Sequence, residues 1–215
     1  MFTPYTLTRG GCQEVTATKT GYHHGDLCAA LIEAGLQLTR LGGPEALTVR
    51  EATRRVGVSP NAAYRHFADR EALLRAVAVA IGDRMAARMV APVTRGGTPQ
   101  SRARNQLRAV GLGYIGFALD EPGWFTVAFF GAGLTAVDGD GLPPPFRALV
   151  EALDAMTDAG VLQENRRTGA EWPCWSAVHG FAELALRGPL RGAPRADLDA
   201  LAGRTVDDII AGLVR

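Results

Sequence analysis

Three groupings in this chain have residue types capable of chemistry, and their spacing decides what each can do. Gly111, Gly113 and Gly116 match the G-x-G-x-x-G of a dinucleotide site. That motif works where a strand gives way to a helix, so that backbone N–H groups meet a pyrophosphate. Here Leu107, Val110, Tyr114 and Phe117 repeat at helical intervals through the glycines, which places them inside a helix, where they allow close packing or leave room for a ligand. His23, His24 and Asp26 are metal-ligating types. Adjacent histidines on a helix diverge and cannot both face one ion, so no metal is expected. Cys174 and His179 are the types of a thiol–imidazole pair, but five residues apart they stand on different helix faces. No catalytic residue is therefore assigned, and a helical enzyme built on either is set aside. Trp175, His179 and Glu183 do share a face. His179 is either a core histidine or a group that hydrogen-bonds a ligand or Glu183.

The most informative stretch runs from Thr48 to Phe67. Thr48 and Glu51 have the spacing of a capping box. A short helix follows to about Val56, and Gly57 supplies a left-handed end. Ser59-Pro60 then reads as an N-cap with proline in the first turn, opening a very short helix to about His66. Asp69 caps a longer helix whose stripe is Leu73, Leu74, Val77, Ile81 and Met85. Two short helices across a tight turn are the layout of a helix-turn-helix, whose second helix enters a DNA major groove. Such a helix must offer small or polar groups to base edges while flanking donors hold phosphates. Asn61 and Ala62 lie near its start, Tyr64 and His66 further on, Arg50 on the helix before and Arg70 at the start of the helix after.

Around this stretch the pattern is helical throughout. Leu27, Leu31, Ala34, Leu38 and Leu41 form one face of a first helix, ended by Gly42, Gly43 and Pro44. Pro92, Gly96, Gly97 and Pro99 break the pattern. The helix through Leu107 and Leu119 is apolar nearly all round and so is buried. Glu121-Pro122-Gly123 ends it, and the aromatic segment Trp124, Phe125, Phe129, Phe130 follows. Gly131–Pro145 reads as a loop. Phe146, Leu149, Leu153 and Met156 mark another helix, Thr168 and Glu171 a second capping-box spacing, and Trp175, Val178, Ala182 and Leu186 the helix after it. The last helix has Leu198, Leu201, Ile209 and Leu213 beside Asp197, Asp199, Asp207 and Asp208, an apolar face with a solvated rim that suits an isologous dimer. The reading is all-α, with about nine helices.

Composition agrees with a folded chain. Of 215 residues, 47% are hydrophobic and 21% charged, which excludes wholesale disorder. No apolar run is long enough for a membrane-spanning helix. The N-terminus lacks a basic stretch followed by an apolar one. Three cysteines, Cys12, Cys28 and Cys174, are odd in number and far apart, so neither a disulfide framework nor a zinc site is expected and a cytoplasmic location fits. Residues 1–91 carry 11 Lys and Arg against 8 Asp and Glu. The excess is weak, and arginine-rich composition alone accounts for it.

The run Val-Ser-Pro-Asn-Ala-Ala-Tyr-Arg-His-Phe, 58–67, with Ala-Asp-Arg-Glu-Ala-Leu-Leu, 68–74, and His-His-Gly-Asp-Leu, 23–27, resembles the TetR/AcrR family of transcriptional regulators. The likeness is specific over about residues 22–80 and loose beyond. Trp175 with His179-Gly180 looks like the Trp-His-Gly signature of one C-terminal subgroup. The resemblance implies a tail over 1–21, a DNA-binding domain over 22–70, and a ligand-binding and dimerisation domain over 71–215. It implies a homodimer, its last two helices paired with those of a second copy, which represses transcription at a palindromic operator until a small-molecule effector binds. A regulator governed by a protein partner instead is the alternative. Carried over by position, Thr48, Tyr64, His66 and Arg70 contact phosphates, and Arg50, Pro60, Asn61 and Ala62 face bases. Where some relatives have a hydroxyl, Ala62 has only a methyl, so base readout leans on Arg50 and Asn61. Tyr114, Phe117, Trp124, Phe129, Met156, Trp175 and His179 are the candidates for an apolar effector pocket, with no cofactor.

Overall fold

The computed structural model describes residues 24–90, 96–131 and 141–214. Among them are ten α-helices and one 3-10 turn. In chain order they are α1 His24–Gly42, the turn Pro44–Ala46, α2 Val49–Val56, α3 Pro60–Tyr64, α4 Arg70–Met89, α5 Pro99–Asp120, α6 Pro122–Phe130, α7 Pro144–Asp158, α8 Glu164–Arg167, α9 Glu171–Leu186 and α10 Arg195–Leu213. The all-α reading stands. The 1–21 tail and the side chains of His23, His24 and Asp26 lie outside the described residues.

Local capping explains most boundaries. Thr98 accepts a hydrogen bond from the Ser101 N–H at 3.2 Å and Pro99 sits in the first turn of α5. Pro99, Pro122 and Pro144 had read as breaks or loop. Each instead starts a helix, because a proline that ends one helix is also preorganised for the first turn of the next. The Thr168–Glu171 capping box does not form. Ala170 is the N-cap of α9, and the Glu171 carboxylate pairs with Arg167 of α8 at 3.0 Å.

The helix α5 is the hub, packed against α4, α6, α7, α9 and α10. Its Tyr114, Ile115 and Phe117 are fully enclosed, as its all-round apolar pattern requires. Two glycines of its G-x-G-x-x-G, Gly111 and Gly113, are packing residues. A methyl at Gly113 would overlap the backbone of Arg88 and Met89 in α4, and one at Gly111 would press on Val206 of α10. Cys28 is buried in the core. Cys174 is a buried thiol whose pKa burial pushes up to about 11, which makes it inert as a nucleophile.

Candidate nucleic-acid interface and ligand cavity

The α2–turn–α3 unit is stiffened from within. The Thr48 hydroxyl accepts from the Glu51 N–H at 3.1 Å. The returning half of the capping box is absent, because the Glu51 carboxylate is held by Arg54 through two bonds of 2.9 and 2.7 Å and by Arg55 at 3.5 Å. The Arg54 hydrogen bond is the main reason the Glu51 pKa falls to about 2. Gly57 takes φ 78° and its N–H bonds Thr53 O at 2.9 Å. The Ser59 hydroxyl accepts from the Ala62 N–H, with Pro60 in the first turn. Buried Ala63 and Phe67 seat α3 on the head's core.

What is left facing outward is mostly polar. Thr48, Arg50, Pro60, Asn61 and Tyr64 are exposed, Tyr64 by 53%, while Ala62 and His66 are half-buried. Among the described residues Arg50 makes no ion pair and Asn61 no side-chain hydrogen bond. The N-cap of α3 is Ser59, so the Asn61 side chain has no capping duty there. Arg65, absent from the sequence candidates, is also exposed. Its signal was spacing, since it stands four residues after Asn61 on the same face.

Arg70 is differently engaged. Its guanidinium donates to Leu47 O at 2.7 Å, to Pro44 O at 2.5 Å and to the Glu71 carboxylate at 3.1 Å. It ties the start of α4 to the chain entering α2, and its donors are spent on carbonyls instead of being held out for phosphate. Replacing Arg70 by Ala is accordingly expected to lower stability by about 1–3 kcal/mol by leaving part-buried carbonyls unpaired. DNA affinity should fall with it, while the salt dependence of binding stays unchanged. Thermal melts and binding isotherms at several salt concentrations check this; a salt slope lowered by about one would return Arg70 to the phosphate contacts.

The head is clamped to the body through α6. Arg40 of α1 forms a two-pronged pair with Glu121 at 2.7 and 2.6 Å. The Trp124 indole N–H donates to Leu36 O at 2.8 Å. Arg40 and Arg84 lie 5.4 and 5.0 Å from the Trp124 ring, and Phe117 stacks on it. Phe117 and Trp124 are thus junction residues, and Met156 is enclosed core; these three pocket candidates do not line the main cavity.

That cavity has a volume of about 570 Å³, within the range of small-molecule sites. Of the seven candidates only Phe129 and Trp175 line it, with Leu142, Pro143, Pro145, Phe146, Val150, Arg167, Glu171 and Trp172. Tyr114 lines a separate, smaller void of about 30 Å³ that Trp175 also lines. The Tyr114 hydroxyl lies 2.8 Å from His179 Nδ1. Burial raises the Tyr114 pKa and lowers that of His179. With both neutral, the imidazole tautomer sets the direction: Nδ1 accepts from the Tyr114 hydroxyl when its proton is on Nε2, and donates to it when the proton is on Nδ1. Phe125, Phe129 and Phe130 surround the ring. Glu183, the other partner considered for His179, pairs with Arg187 at 3.0 Å. Among the described residues no three metal-ligating side chains converge, and no helix is long and apolar enough to cross a membrane.

Comparison with known proteins places this architecture. The family model described as bacterial regulatory proteins, tetR family, matches residues 31–77, and the one described as tetracyclin repressor-like, C-terminal domain, matches residues 107–209. A search of the curated proteins found no match. Among solved structures, a protein of unknown function from Rhodococcus sp. RHA1 is 24% identical, with a TM-score of 0.69 over 92% of this chain and 100% of that one. The transcriptional regulator SCO7222 of Streptomyces coelicolor, a TetR, is 20% identical, with a TM-score of 0.60 over 86% of this chain and 98% of its own. A TetR variant from Acinetobacter baumannii AYE in complex with minocycline is 22% identical, with a TM-score of 0.58 over 89% and 96%. These structural likenesses are of fold. The family is carried by the two models, which fall on the helix-turn-helix head and on the helical body respectively, and the chain belongs to the TetR family of bacterial transcriptional regulators.

Proposed function

We propose that the chain is a homodimeric repressor that grips a palindromic operator through α2 and α3. It lets go when a small, largely apolar molecule occupies the cavity beside Phe129 and Trp175. Residues 22–70 form the DNA-binding domain and residues 71–215 the effector and dimer domain, working in the cytoplasm where chromosomal DNA is reached. The observation that carries this reading is the outward donor set. The caps of α2 and α3 are satisfied by Thr48, Gly57 and Ser59, and this leaves Arg50, Asn61 and Tyr64 for an external partner. Thr48, Tyr64 and His66 hold phosphates; Arg50, Pro60, Asn61 and Ala62 meet the base edges, with the Asn61 amide suited to adenine.

The dimer face is revised by burial. Leu198 is enclosed within its own chain, and Ile209 lines the small void. Apart from Trp172, which lines the larger cavity, the large apolar residues exposed on the last two helices are Leu184, 46% exposed, and Leu201, 42% exposed.

A footprint on the DNA flanking the chain's own gene tests the function. Protection of an inverted repeat is expected, with loss of protection on adding the dialysable fraction of a cell extract. No protected repeat overturns the DNA reading, and protection that only a non-dialysable fraction removes favours control by a protein partner. Replacing Asn61 by Ala is expected to cost about 1–3 kcal/mol, concentrated at one base pair per half-site. Selection from randomised duplexes reads this directly; a uniform loss with a lower melting temperature contradicts base contact.

A further inference from the structure

We propose that the cavity's ligand is a planar aromatic cation. This rests on the effector reading above and adds the ligand's charge and shape. The wall of the cavity is a run of rings in contact. Trp172 lies 5.5 Å from Phe146, Phe146 lies 5.4 Å from Trp175, and Trp175 lies 5.9 Å from Phe129, with interplanar angles of 47°, 58° and 65°. Tilted rings present both faces and edges, and a ring face attracts a cation through its quadrupole. Such a wall favours a flat ligand, since each ring that meets it buries apolar surface on both partners.

Charge supplies the second half of the argument. The ionic groups on the lining are Arg167 and Glu171. Arg167 is already shared by two carboxylates, at 2.7 Å from Asp154 and 3.0 Å from Glu171, and it also donates to Val150 O. One guanidinium against two carboxylates leaves the cluster one negative charge in excess. Glu171 uses only Oε2 for Arg167, so Oε1 stays available to a ligand. Arg147, outside the lining, is exposed and donates to the carbonyl of the lining residue Leu142. An anionic ligand would meet rings and surplus carboxylate with no unspent cation on the lining to receive it. A cation meets ring faces and the Glu171 carboxylate, with Arg167 already held by two carboxylates.

A matched set of probes tests this with the whole chain: 10-methylacridinium, neutral acridine and acridine-9-carboxylate, titrated at pH 7.5 and followed by quenching of tryptophan fluorescence. The cation is expected to bind about tenfold tighter than the neutral parent, by ring attraction and the carboxylate together, and the anion more weakly than either. Glu171→Gln should shrink the cation's advantage to about threefold or less while leaving acridine unchanged. Phe146→Leu keeps an apolar side chain but removes a ring, and should weaken the cation more than the neutral probe; it serves if the Glu171 variant fails to fold. Equal or tighter binding of acridine or of the anion, no binding of the cation, or a cation advantage untouched by both variants overturns the proposal. The same titrations on the DNA complex keep the two readings apart. Release by the neutral or anionic probe sinks the cation and spares effector control. Variant-sensitive cation binding that never loosens DNA sinks effector control and spares the cation.

Discussion

Replacing Leu184 and Leu201 together by arginine is expected to give a folded monomer that binds operator DNA about a hundredfold more weakly or worse. Both side chains project from the outer faces of α9 and α10, while the inward stripe of α10, Leu198, Ala202, Val206 and Ile210, stays seated against the rest of the chain. The fold should therefore survive, because nothing buried is touched. Between two copies the new arginines face each other on an isologous patch, where like charge and lost apolar contact act twice. A monomer keeps one recognition helix and loses the gain in effective concentration that a second, tethered head supplies. Sedimentation at micromolar concentration and binding to a two-half-site duplex check both parts. A dimeric double variant with unchanged affinity would place the interface elsewhere.

Replacing Gly123 by Ala is expected to cost about 2–3 kcal/mol and lower the melting temperature by roughly 5–10 °C. Gly123 lies in the first turn of α6, where an added methyl would overlap the carbonyl oxygens of Thr39 and Arg40 at the end of α1. Those are backbone atoms, so the clash is relieved only by moving one helix away from the other. That movement strains the Arg40–Glu121 pair and the Trp124 indole bond to Leu36 O, which join head to body. Gly116→Ala is the control. Its methyl would meet only the far end of Arg88, and the better helix propensity of alanine should leave stability unchanged or raised by up to about 1 kcal/mol. Thermal or urea unfolding of the two variants side by side reads the difference. Equal effects would mean that α1 and α6 are not in close contact.

What the chain discloses in one dimension is what local backbone chemistry governs. Thr48, Gly57, Ser59-Pro60 and Asp69 act within three or four residues of themselves, and the boundaries they imply are the boundaries found. Proline was ambiguous at 99, 122 and 144, because the same missing N–H ends one helix and opens another. The motif spacing at Thr168 and Glu171 misled for a different reason, since α9 starts from Ala170 and the Glu171 carboxylate pairs with Arg167. Arg70 was beyond reach. Its carbonyl partners sit 23 and 26 residues earlier, and only the packing of α1 and α4 brings them near. The cavity shows the same limit. Aromatic content marked Phe129 and Trp175, but Phe146, Arg167 and Glu171 become neighbours only once α7, α8 and α9 pack together.

Selection of random duplexes by the purified protein tests most directly whether α2 and α3 read DNA as a symmetric pair. The expected result is enrichment of an inverted repeat whose half-site centres lie about 10 base pairs, or a multiple of one helical turn, apart. A pool that stays unenriched after repeated rounds, or that converges on a sequence without two-fold symmetry, would contradict it.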